Sequence, residues 1–177
     1  SFLVPSYNSA EGKDGYALDM LAEILGGGST SRLYTELVLN DGPATAAGSW
    51  YQGTQLDSGS FSFYAVPKGD EELQELIEKV QAVADAIKTE GVSQSELDAA
   101  RNRMIADTVY AQDNQASLAR IIGVGLMTGL SLEDIQSWPE NLQALTTDDI
   151  QNAAKRYLNG AKSMTGYLLS ADDENPS

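Results

Sequence analysis

Neither histidine nor cysteine occurs among the 177 residues, and the two absences exclude more than any residue present suggests. Without cysteine there is no disulfide, no thiolate nucleophile and no sulfur ligand for a metal, and the redox compartment is left open. Without histidine, zinc catalysis loses its usual imidazole ligands and keeps only carboxylates. A Ser-His-Asp relay cannot be assembled at all. Long apolar runs are also scarce. The longest, Ala17 to Leu25, is interrupted by Asp19 and Glu23 and falls short of the roughly 20 residues that span a bilayer. No basic segment followed by an apolar block opens the chain, so no signal peptide is expected. Positive charge is in short supply: 11 Lys and Arg stand against 26 Asp and Glu, for a net charge of −15. Such a surface repels phosphate backbones and argues against a nucleic-acid partner. It suits solubility, and a bacterial cytoplasm or periplasm is the setting it fits.

What is present reads as one domain. Phe2 to Tyr7 is short, apolar and contains Pro5, which fits a strand near a sheet edge. After Asp14, the residues Ala17, Leu18, Leu21, Ile24 and Leu25 recur at helical spacing and stop at Gly26-Gly-Gly28. Ser29, Thr30 or Ser31 can cap a second helix through Leu33, Leu37 and Val38. Asn40-Asp-Gly-Pro43 is a turn, and two strands follow, Ala44 to Thr54 and Ser60 to Val66. The second alternates Phe61, Phe63 and Ala65 against small polar residues, and the pair predicts an antiparallel hairpin.

From Asp70 to Glu90 one apolar helical face returns, and Ser93-Gln-Ser-Glu96 is a capping box for the next helix, which carries Leu97, Arg101, Met104, Ile105 and Val109. Two further pieces, about 112 to 128 and 131 to 137, precede Pro139. A last helix starts at Thr146 and closes at Asn159-Gly160, and Met164 to Leu169 predicts a final strand. Strands clustered around helices imply an α+β two-layer sandwich, a mostly antiparallel sheet packed against helices. The domain covers residues 1–170, and residues 171–177 form an acidic tail that is expected to be disordered.

At this point the sequence resembles the C-terminal half-domain of pitrilysin/insulinase-type zinc peptidases. Leu25-Gly-Gly-Gly-Ser-Thr-Ser-Arg-Leu-Tyr-Thr-Glu-Leu-Val38 is similar to the signature that opens the second helix of that half. Gly91 to Arg101, Gly129 to Ile135, Leu145 to Ile150 and Ala154 to Leu158 agree with it in order. The resemblance implies paired α+β half-domains, of the kind also found in mitochondrial processing peptidase, enclosing a chamber. Zinc then belongs to the other half, on an inverted His-x-x-Glu-His helix, while this half supplies wall and closes over the peptide. The implied partners are that N-terminal zinc-bearing half or a partner subunit of the same family, together with a peptide substrate. On this reading the chain itself holds no catalytic, cofactor-binding or metal-ligating residue, and the parent is a metallopeptidase.

One departure bears on the role. Family members that grip substrate carry an Arg and a Tyr seven residues apart after this helix, where Val38 and Thr45 stand here. That fits a wall domain whose gripping pair comes from a partner, and equally a non-catalytic scaffold subunit. An unrelated acidic peptide-binding module is a third reading.

Other candidates have structural and functional readings side by side. Gly26-Gly-Gly28 could cradle an anion at a helix start, or simply turn the chain. Arg32 could face a chamber, or anchor a carboxylate, which suits its guanidinium. Trp50 and Tyr51 point to opposite faces of a strand, so one is expected in the core and one exposed, where it could stack on peptide. An edge strand could add an extended peptide to the sheet. Asp172-Asp-Glu174 could hold calcium or lie in the disordered tail. Glu71, Glu72, Glu75 and Glu78 read as a solvated helix face with no chemistry.

Overall fold

The computed structural model describes residues 1–69, 73–112 and 114–168. Three strands, β1 (Phe2–Pro5), β2 (Ala44–Gln52) and β3 (Ser58–Pro67), form one antiparallel sheet in the order β1-β3-β2. The helices are α1 (Asp14–Gly26), α2 (Arg32–Leu37), α3 (Leu73–Glu90), α4 (Gln94–Gln112), α5 (Gln115–Met127), α6 (Leu132–Gln136), α7 (Trp138–Gln143) and α8 (Thr147–Tyr157). They pack on one face of the sheet, α1 and α2 against β2 and α3 against β3, with α8 and α4 behind α1. The α+β sandwich expected from the sequence is the fold observed.

The core follows the apolar periodicity. Ala17, Leu18, Leu21 and Leu25 of α1 are buried against Phe61 of β3 and against Ile150 and Ala154 of α8. Inward residues of α3 (Leu76, Val80, Ala84, Ile87) and α4 (Leu97, Ala100) complete it. On α4 the burial stops there, and Val109 and Tyr110 are exposed. Polar side chains set the joints between elements. Arg101 donates from Nε to the Leu142 carbonyl (3.1 Å) and from Nη2 to the Leu145 carbonyl (2.9 Å), fastening the end of α7 to α4. Asp14 at the start of α1 accepts hydrogen bonds from Arg156 (2.5 Å) and Tyr157 (2.6 Å) at the end of α8. Both capping boxes near the C-terminal end, Ser131/Asp134 and Thr146/Asp149, are closed.

Three expectations need correction. Met164 to Leu169 does not form a strand: Ser163 makes a single antiparallel bridge to Phe2, residues 164–168 have no ladder, and Leu169 lies outside the described residues. Beside that bridge the Ser1 and Met164 backbones exchange two bonds of 2.8 Å, and beyond them the segment has no ladder neighbour among the described residues. No helix is expected from the sequence between Ser137 and Thr146, yet α7 lies there, with Pro139 in its first turn, where its missing N–H costs nothing. The β3 face opposite Phe61 is not small and polar throughout, because Tyr64 and Val66 lie on it, half exposed. The acidic tail falls outside the described residues.

Candidate functional site

The sheet has one face under the helices and one face open. Register places Trp50 opposite Ser62, Gly48 opposite Tyr64 and Ala46 opposite Val66 on the open side, with Leu3 of β1 opposite Ser60. Leu3, Trp50, Tyr64 and Val66 are each about half exposed. The Trp50 and Tyr64 rings lie 6.0 Å apart, within the range of favourable aromatic pairs. Gly48 makes room for this: a Cβ there would come within 2.6 Å of the Tyr64 ring. The alternation of Trp50 and Tyr51 resolves as expected. Trp50 is exposed, whereas Tyr51 turns inward and donates its hydroxyl proton to the Pro5 carbonyl at 2.8 Å. Tyr64 and Val66 escaped the sequence reading, although their spacing two apart on a strand was a sufficient signal.

A second concavity, of about 620 Å³, lies between β3, α3 and the segment 163–168. Phe63, Leu76, Ile77 and Val80 line it on one side and Met164 and Tyr167 on the other. Asp85 and Lys88, paired at 2.7 Å, are the charged side chains in its lining.

The residues weighed in the sequence take structural positions. Gly26 approaches β2 so closely that a Cβ would meet the Ser49 nitrogen at 1.9 Å, and Gly28 has φ +103°. The Ser31 hydroxyl donates back to the Gly28 carbonyl at 2.7 Å and makes no cap bond to α2. The triple glycine is thus a tight turn pressed on the sheet. Arg32 is an anchor: its Nε and Nη2 reach Glu96 at 2.7 and 3.1 Å, and Nη2 reaches the Gly91 carbonyl at 3.0 Å. Chiefly through Arg32, Glu96 is pulled down to a pKa of about 2. Val38 packs partly buried at the end of α2. Thr45 is exposed at the irregular start of β2, its hydroxyl directed to the Val66 carbonyl at 3.4 Å. Glu75 pairs with Lys79 at 2.8 Å and Glu78 accepts from Gln74 at 3.2 Å, a solvated face as expected. Glu71, Glu72 and Asp172-Asp-Glu174 lie outside the described residues.

One polar cluster was not legible in the sequence. Tyr7 donates to Asp19 Oδ2 at 2.6 Å, and Trp138 Nε1 donates to the Tyr7 oxygen at 3.0 Å. Burial raises the Asp19 carboxyl to about 6 against the hydrogen bond from Tyr7, and burial likewise pushes the Tyr7 hydroxyl well up. Its members come from β1's exit, α1 and α7, 131 residues apart at the extremes. It reads as a polar joint.

Zinc does not fit these residues. The chain has no histidine or cysteine, and among the described residues no group of three or more carboxylates converges to replace them. No helix among the described residues is long and apolar enough to cross a membrane.

Residues 1–104 match the family model described as the peptidase M16 inactive domain. An uncharacterized zinc protease of Rickettsia felis is 32% identical over 144 residues, which are 80% of this chain and 34% of that protein. The crystal structure of a protease from Helicobacter pylori superposes with a TM-score of 0.82 at 24% identity, covering 91% of this chain and 38% of the other. The inactive peptidase domain of a Bordetella parapertussis protein superposes with a TM-score of 0.78 at 19% identity, covering 96% of this chain and 91% of that one. The chain spans about a third of the length of the curated relatives it matches.

Proposed function

The chain belongs to the peptidase M16 inactive-domain family, and from that footing we propose that it forms the chamber wall of a zinc-dependent endopeptidase whose metal and catalytic base lie in a separate half. The observation that carries this reading is the match to a domain described as inactive in a sequence devoid of histidine. The open sheet face with Leu3, Trp50, Tyr64 and Val66 is the wall: apolar, partly aromatic and, among the described residues, uncovered by any helix. An extended peptide has side chains on alternate sides, and such a surface holds it by contact area rather than by charge. The partner is the zinc-bearing half, in the same polypeptide or in a companion subunit, and a bacterial parent is favoured by the relatives' sources.

The test is direct. The purified chain should hydrolyse no peptide and carry no stoichiometric zinc by elemental analysis, while the parent assembly containing it should do both. Stoichiometric zinc held by this chain alone sinks the reading.

Val38 and Thr45, in place of a substrate-gripping Arg and Tyr, favour a second reading as a scaffold subunit of a larger assembly. Recovery of the native complex by affinity tag, followed by a peptidase assay, separates the two. A stable complex that stays inactive selects the scaffold.

A further inference from the structure

β1, β2 and β3 contain no Asp, Glu, Lys or Arg, although charged residues make up 21% of the chain and its net charge is −15. The inward side of a sheet needs none. The outward side of an antiparallel sheet ordinarily alternates to polar residues, and exposed strands use charge, Lys above all, to keep other molecules off. The open side of this sheet carries no such guard. A charged side chain laid on it loses water and meets no opposite charge on the strands, whereas an apolar one gains by the same move.

Trp50 and Tyr64 are the aromatic pair of this surface. They are diagonal neighbours, since Trp50 stands opposite Ser62 and Tyr64 opposite Gly48. On each strand the large ring faces a small residue of the other. Tyr64 lies so near the Gly48 backbone that a Cβ there would meet its Cε1 at 2.6 Å and its Cζ and hydroxyl oxygen at 3.0 Å. Glycine inside a strand weakens it and marks a close approach. Covering of a strand glycine by an aromatic ring accounts for Tyr64 alone. Trp50 faces a serine, so its half-exposed ring needs another reason. The two rings lie 6.0 Å apart and are tilted by 43°. Neither is stacked flat on the other, and each leaves surface for a third ring.

We infer that Trp50 and Tyr64 hold a flat apolar ring of the bound peptide, a Phe, Tyr, Trp or Pro side chain within a stretch of uncharged residues, and that Gly48 positions Tyr64 for the contact. The inference rests on the reading of this face as a chamber wall, and it names the peptide chemistry that the wall selects. A basic side chain is the competing occupant, because a guanidinium can lie on an indole face. The strands offer it no carboxylate to complete the contact, so the uncharged ring is the better match. Gly48 touches no peptide in this arrangement. It acts through Tyr64, by letting that ring settle beside Trp50.

The experiment uses the parent assembly with a zinc chelator present, so that peptide is bound without being cut. Short peptides of Ala, Ser and Gln carry Phe, Arg, Glu or Ala at one central position, and Kd is measured by titration calorimetry. The Phe peptide should bind about tenfold more tightly than the Ala peptide, and the Arg and Glu peptides no more tightly than the Ala peptide. Gly48→Ala displaces the Tyr64 ring yet keeps both aromatics, and should bring the Phe and Ala peptides within about twofold of each other. Val66→Lys sets a cation on the same face at a half-exposed position, and should favour the Glu peptide over the Ala peptide by about threefold. A gain of that kind does not arise from misfolding. Equal binding of all the peptides overturns the inference. So does a preference for Arg over Phe, a Phe preference that survives Gly48→Ala, or a Val66→Lys assembly that gains nothing for Glu. If the expected preferences hold in an assembly that cuts no peptide once zinc is restored, the inference stands and the peptidase reading falls. Cutting with no such preference has the reverse meaning.

Discussion

Arg32 and Glu96, 64 positions apart in the chain, are joined by a two-pronged ion pair, Nε to Oε1 at 2.7 Å and Nη2 to Oε2 at 3.1 Å. The same carboxylate accepts from the Ser93 backbone at 2.8 Å and hydroxyl at 2.7 Å. One glutamate thus closes the capping box of α4 and ties it to the start of α2. Removing the guanidinium by Arg32→Ala leaves the box but frees the two helices, at a cost of about 1–2 kcal/mol in urea unfolding. Arg32→Lys recovers only part, since an ammonium lacks the fork.

That pair also sets the acid limb of stability. Glu96 is held at about 2 in the folded state, below the ordinary glutamate value of about 4.3. A depressed acid stabilises the fold above its unfolded pKa and loses that contribution as pH falls through the folded value. The loss therefore falls between roughly pH 4.3 and 2, and partial exposure limits it to about 1 kcal/mol. Unfolding free energies at pH 5 and pH 2.5 should differ less in Arg32→Ala than in the natural chain.

Asp19 acts in the opposite sense. Burial raises its carboxyl to about 6, so the folded state binds the extra proton and stability declines as pH rises from about 3.9 to 6. Asp19→Asn keeps an acceptor for Tyr7 and removes the buried charge, raising stability at pH 7 by about 1–2 kcal/mol and leaving pH 4 little changed. A variant equally destabilised at both pH values refutes the assignment.

Gly26 tests the junction of α1 with the sheet. A Cβ placed there lies 1.9 Å from the Ser49 nitrogen and 2.6 Å from its hydroxyl, so Gly26→Ala must move backbone. Thermal unfolding should show a loss of about 3 kcal/mol or more. Gly160→Ala, where a Cβ meets nothing within 4 Å, is the control.

Trp50 separates stability from contact with a partner. At 48% exposure it supports little of the core, so Trp50→Ser changes folding free energy by less than about 1 kcal/mol. Retention of the zinc-bearing half or of peptide by the parent assembly should fall about tenfold or more. Unchanged retention moves the wall elsewhere.

Much of the fold was legible because local chemistry and global packing agree. The Ala17–Leu25 stripe, the turn at Asn40 to Pro43, whose Asn40 and Asp41 adopt φ of 54° and 64°, and the Ser93–Glu96 box each specify their own element. Arg32 as an anchor was legible too, from guanidinium geometry. The failures have a common cause. Met164 to Leu169 has strand chemistry, but a strand is a relation to a neighbour and periodicity does not supply one. Helix α7 was missed because Pro139 stands in it, and a residue that breaks a helix interior is tolerated in the first turn. The Tyr7–Asp19–Trp138 joint was invisible, since its three members meet only after β1, α1 and α7 have docked.

Arg101 has a mechanical consequence. By gripping the Leu142 and Leu145 carbonyls it pins α7 to the trunk of the molecule, whereas α5 and α6 lean on each other, on α4 and on α7, with the Thr128 carbonyl after α5 held by the Asn8 amide. Ile121, Val124 and Met127 stand out from that lobe into solvent. Load on that lobe therefore passes to the trunk by way of α7, and the Arg101 clasp carries it.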